Sequence, residues 1–175
     1  MAHRTPGDRV SDVALESVGG RAHSAAAAIY GTILITAVIA ALSEDPAAGP
    51  GEMLSVALLT STVFWLAHAY ADGVGERVAT TDRARWLSPM ALLAHTWPMM
   101  QAALLVTVPL VLGALGILHR TAAVRGALLI GIVELCLWGY LAGRHIGPGR
   151  LVRVESAVFI SLLGVAIALL KLLVH

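Results

Sequence analysis

Residues 122–143, AAVRGALLIGIVELCLWGYLAG, decide how this chain is read. Apart from Arg125 near its start and Glu134 near its middle, the run is apolar, and it is long enough to cross about 30 Å of hydrocarbon as a helix, which takes about 20 residues. A carboxyl group at that depth is costly, and intramembrane ionisable groups usually mark a pathway or a binding site.

Four further runs approach or exceed the same length: 25–42, 53–71, 88–115 and 156–174. Hydrophobic residues make up 58% of the chain and charged residues only 13%, which departs from the roughly quarter-charged composition of soluble domains. The expected fold is therefore all-α: one integral membrane bundle of five transmembrane helices, with almost nothing left over for a soluble domain.

Charge orients that bundle. Arg4, Arg9 and Arg21 precede the first run, Arg77, Arg83 and Arg85 follow the second, and Arg144, Arg150 and Arg153 follow the fourth. The first loop carries Glu44, Asp45 and Glu52 without a basic residue, and the third loop carries Arg120, with Arg125 just beyond. Basic loops stay on the cytoplasmic side, so the reading is N-in and C-out, with 1–21 as a cytoplasmic segment. Residues 11–18, closed by Gly19 and Gly20, read either as a short surface helix or as a frayed tail. A cleavable leader fits poorly, because about two dozen largely polar residues precede a first run that exceeds the usual apolar core of such peptides.

The polar residues inside the spans carry the functional reading. In the second span Ser61, Trp65, His68, Asp72 and Glu76 recur at spacings of three and four, which puts them on one helical face. His68 falls about 7 Å to the cytoplasmic side of its span's midpoint, and His95 falls about as far to that side of the third. Pro98 removes a backbone donor three residues after His95 and tends to bend the helix. Glu134 lies slightly to the same side of the middle of the fourth span, one helical turn from Gly131, where the missing side chain lets another helix approach. If the three faces converge, Glu134, His68 and His95 share one layer, with Asp72 at the inner mouth and Arg144 and His145 as a cytoplasmic vestibule.

Each residue also has a plainer reading. His68 and Asp72 at i and i+4 suit an ion pair near the headgroups, and His95 suits a hydrogen-bonded packing role. Glu134 lies too deep to snorkel, yet a neutral carboxyl bonded to a neighbouring hydroxyl would serve packing alone. Cys136 reads as a small packing residue. Ser24, Ala28, Gly31 or Thr32, Thr36 and Ala40 in the first span, and Ala157, Ser161, Gly164 and Ala168 in the fifth, form stripes that let helix backbones come close, within the chain or in a homo-oligomer.

No H-E-x-x-H, C-x-x-C, G-x-S-x-G or Walker pattern occurs, so the usual motif-borne catalytic chemistries lack support. The net charge of +1 gives no clustered basic face for nucleic acid, and no soluble partner is indicated. His68 and Asp72 form a His-x-x-x-Asp pair that resembles fragments of metal-dependent membrane hydrolases, a stretch too short to name a family. Eleven arginines to one lysine, with no asparagine, fit a GC-rich bacterial genome and hence an inner-membrane location.

The expected function is transport of protons or a cation along Glu134, His68 and His95, since imidazole titrates near neutral pH. The same three groups also suit zinc or iron as ligands. Two alternatives remain open: an intramembrane metal-dependent enzyme, and a non-catalytic assembly or scaffold subunit.

Overall fold

The computed structural model describes residues 6–79, 88–146, 151, 154–156 and 158–162. All regular structure among the described residues is helical: α1 (Pro6–Leu42), α2 (Pro50–Ala79), α3 (Pro89–His95), α4 (Trp97–Ala114) and α5 (Arg120–Ile146). Three of these begin at a proline, whose fixed φ and missing N–H suit a first helical position. Ser88 caps α3 by accepting from the Ala91 amide at 3.2 Å. Gly116, at φ 76°, ends α4; the Ile117 amide reaches back to Leu112 O at 2.9 Å and the Gly116 amide to Gly113 O at 3.0 Å, the hydrogen-bond pattern of a Schellman motif.

Among the described residues, four helical segments are long and apolar enough to cross a membrane: Ser24–Leu42, Pro50–Val78, Trp97–Ala114 and Arg120–Gly143. The fifth expected span, 156–174, lies mostly outside the described residues, as do Arg83, Arg85 and the side chains of Arg144 and His145. Two expectations about helix continuity need correction. First, α1 is one helix of 37 residues that runs through Gly19 and Gly20; glycine costs a helix about 1 kcal/mol relative to alanine, which does not stop a helix already anchored in a long span.

Second, the run 88–115 is two helices broken at Thr96, which sits at φ −91° and ψ 0°. Pro98 cannot donate a backbone hydrogen bond in the first turn of α4. The Thr96 hydroxyl turns back to the carbonyls of Leu92 and Leu93 at 3.0 and 3.4 Å, and the Met99 amide restarts the ladder on Thr96 O at 3.1 Å. At 1.5 Å per residue α4 is about 27 Å long, close to the thickness of the hydrocarbon by itself.

Packing is by small residues. Ile35, Ile39, Met53, Ala57, Ala103, Val106, Leu110, Ala123 and Ala127 form the core, and alanine and glycine let helix backbones approach. Helix α1 packs on α4 and α5, α2 packs mainly on α4, and α2 scarcely touches α5. The α1–α4 pair is thus the short diagonal of the bundle, with α2 on one side and α5 on the other. Gly31 sets that approach, since a Cβ there would land on the backbone carbonyl of Met99 and 2.9 Å from its Cγ.

Outward-facing residues such as Leu59, Val63, Leu105, Leu129, Val133 and Leu137 are more than half exposed, the arrangement that a lipid-facing surface requires. Cys136 is also exposed, so on the described bundle it is an outer-face residue and not a packing one.

At one end of the bundle the loop after α1 is tied to the start of α5. Arg120 donates from Nε to Ala48 O at 2.9 Å and from Nη2 to Ser43 O and Asp45 O at 3.0 and 2.7 Å. The lone arginine of an otherwise acidic end therefore has a structural task, which explains a basic residue on the side that the charge count assigns to the exterior.

The close approach at Gly31 is measurable. Gly31→Ala should lower stability in detergent micelles by about 1–3 kcal/mol through overpacking. Gly75→Ala, where nothing lies within 4 Å, should cause no loss, and equal behaviour of the two variants would contradict this packing.

Candidate functional site

Glu134 faces inward from α5 and is 7% exposed. Its Oε2 lies 3.3 Å from the Thr32 hydroxyl of α1, which also donates to the carbonyl of Ala28 at 3.0 Å. A hydroxyl has one proton to give and can accept as well, so the cluster has two complementary states. With Glu134 ionised, Thr32 must donate to the carboxylate and loosen its hold on Ala28. With Glu134 neutral, the carboxyl proton is donated to Thr32 Oγ1 while Thr32 keeps Ala28. The partner of the acid thus serves either protonation state by rotating a single O–H bond.

Room for this cluster comes from Gly131, one turn before Glu134 on α5. A Cβ at 131 would strike the Thr36 hydroxyl and stand 3.2 and 3.3 Å from its Cγ2 and Cβ. Thr32 meets Glu134 and Thr36 meets Gly131, so residue numbers rise along α1 as they fall along α5. The two helices are therefore antiparallel.

His68 occupies a different face. Its ring stacks on Tyr30 of α1, with centroids 5.8 Å apart and planes at 17°, and its Nε2 is 3.9 Å from Asp72 Oδ2. The two side chains at i and i+4 are therefore adjacent, an ion pair when His68 is protonated. Tyr30 and Thr32 are two residues apart on α1, which at 3.6 residues per turn turns them by about 200°. Glu134 and His68 consequently sit on opposite flanks of α1, about 3 Å apart in depth by the same helical rise.

His95 is half-buried at the end of α3, beside the break at Thr96. The approach of Leu92 to Gly73 sets the register of α3 against α2 and places His95 within about 3 Å of the level of His68.

The structure therefore puts the acid and both imidazoles within about one helical turn of depth, but it does not gather them. Among the described residues the hydrogen-bond partners of Glu134 are the Thr32 hydroxyl and the Trp138 side chain one turn on in α5, whose indole N–H can only donate, and no group of three or more His, Cys, Asp or Glu side chains is placed to hold a metal ion. The expected zinc or iron set of His68, His95 and Glu134 does not form within one chain, because α1 and α4 meet between α2 and α5. Asp72 lies one turn beyond His68 towards the end of α2. The vestibule residues Arg144 and His145 have no described side chains.

Two residues that matter here, Thr32 and Thr36, were legible in the sequence only as members of a small-residue stripe. Their hydroxyls at i and i+4 on a face that must meet an acid-bearing helix were the available signal. On the α2 side, Trp65 packs edge to face on Trp97 with centroids 5.4 Å apart. Ser61 Oγ and Trp65 Nε1 are buried there without hydrogen-bond partners among the described residues. Comparison with protein-family models, curated proteins and solved structures finds no match in any of the three.

The link between Thr32 and Glu134 has an energetic signature. Thr32→Val keeps the shape but removes one hydrogen-bond partner of the buried carboxyl, and should cost about 1–3 kcal/mol. Adding Glu134→Leu to it should recover part of that loss, because the carboxyl that lost its partner is then gone. Strictly additive effects in reversible unfolding would show that the two groups do not interact.

Proposed function

We propose that the protein is a small multi-pass transport protein of a bacterial inner membrane, with its N-terminus in the cytoplasm, that moves protons or a cation and uses Glu134 as the group that takes up and releases the ion. The observation that carries this reading is the nearly complete burial of Glu134 against a hydroxyl able to serve it charged or neutral.

Depth supports the same reading. Passing from Glu134 towards the end of the bundle that holds Asp72, one meets the levels of His68 and then of His95. Both imidazoles therefore lie between the acid and the proposed inner mouth. Since α1 separates Glu134 from His68 in this conformation, exchange between them requires α1 to rotate or shift, or a second subunit to supply the neighbour. An assembly of identical subunits is part of the proposal.

A second reading, a non-catalytic assembly subunit, draws on the Thr32–Glu134 contact and on the stacking of His68 against Tyr30, which both join helices. A metal-dependent enzyme would need ligands that the described residues do not bring together within one chain.

Flux separates the two readings. In proteoliposomes assayed from about pH 5 to pH 8, the range in which histidine titrates, Glu134→Gln should abolish ion movement while the protein stays folded. Unchanged flux together with lost stability would favour the assembly subunit. Orientation is tested separately in a Cys136→Ser background. A membrane-impermeant maleimide applied to intact bacterial cells should label Ala47→Cys and not Gly75→Cys, and the reverse would invert the topology.

A further inference from the structure

Thr36 lies one turn beyond Thr32 on α1, is 1% exposed, and its Oγ1 makes no hydrogen bond among the described residues. Thr32 satisfies its own hydroxyl on the carbonyl four residues earlier, a common device for threonine in helices, and Thr36 does not. A polar group left unmatched away from water is costly, and inside hydrocarbon no solvent can relieve it.

Where the hydroxyl points follows from helix geometry. Side chains lean towards the N-terminus of their own helix, and α1 and α5 are antiparallel. Thr36 therefore leans towards the level of Thr32, and Glu134 leans towards the level of Gly131, the glycine against which Thr36 packs. Both residues thus face the gap between α1 and α5, Thr36 packed against Gly131 and Glu134 bonded to the Thr32 hydroxyl one turn away.

We propose that Glu134, Thr32 and Thr36 form an oxygen-lined site for one small monovalent cation, hydronium or sodium. This rests on the transport reading above and specifies the class of ion. One carboxylate balances one positive charge, whereas a divalent ion would leave uncompensated charge in a low-dielectric interior. Carboxylate and hydroxyl oxygens without imidazole or thiolate suit a hard cation and not zinc or iron.

The test uses the full-length protein in proteoliposomes, with a pH-sensitive dye reporting protons and radioactive sodium reporting sodium. A binding readout runs beside it: the infrared C=O band of the Glu134 carboxyl, assigned by difference from Glu134→Gln and followed during addition of sodium chloride or choline chloride at fixed pH. Thr36→Val should lower uptake about tenfold or more, as loss of one contact to a charged group implies, and should shift the carboxyl band. Thr36→Ser should keep both close to wild type, and Thr36→Ala replaces Thr36→Val if the latter does not fold.

A carboxyl band that falls with sodium and not with choline identifies sodium as the ion, and a band that follows pH but not sodium shows that the site takes a proton, carried on the Glu134 carboxyl, and not sodium. If Glu134→Gln abolishes flux while Thr36→Val leaves both flux and band unchanged, transport stands and this site is overturned. If the wild type moves no ion yet Thr36→Val still shifts the band, and Thr36→Ser restores it, the site stands and the transport reading fails.

Discussion

A polar group surrounded by hydrocarbon must find its partner inside the protein, and a carboxyl group is the most demanding case. Glu134 meets that demand on α1, and the requirement propagates through the bundle. Gly131 brings α5 close to α1, Thr32 faces the acid, and Gly31 lets α1 rest on the backbone of α4. With α1 seated between α4 and α5, α2 is confined to the other flank, where His68 stacks on Tyr30. One buried acid and two glycines thus settle which faces of four helices can meet.

That arrangement explains why depth and adjacency part company. Residues at one level of a bilayer can still be separated by a whole helix, and rotation about the helix axis decides the matter. The level of each polar group follows from counting residues along a span, which is why Glu134, His68 and His95 were readable as a layer. Which face of α1 meets α5 depends on Gly31 and Gly131 acting as contact points, and the stripe containing Ser24, Ala28, Thr32 and Thr36 has no marker that distinguishes one neighbour from another.

Other elements divide in the same way. The spans at 53–71 and 122–143 were legible from apolar length alone, because hydropathy reports a solvent and does not need a neighbour. The break at Thr96 was only half legible. Pro98 announces a bend, but the return of the Thr96 hydroxyl to Leu92 depends on local geometry. The continuity of α1 through Gly19 and Gly20 was misread because two helix-weakening residues count for less than the long helix they adjoin. Arg120 illustrates the converse, where a residue read as topology information turns out to clamp three loop carbonyls.

The central claim, that Glu134 belongs to the α1–α5 interface and not to a shared pocket with His68, can be tested by paired cysteines in a Cys136→Ser background. A Cβ at position 131 would lie 3.3 Å from that of Thr36, close to the roughly 3.5–4.5 Å that disulfides span. The double variant Thr36→Cys/Gly131→Cys should crosslink readily on mild oxidation in membranes, and His68→Cys/Glu134→Cys should not. Efficient crosslinking of the second pair within one chain, with none in the first, would contradict the account.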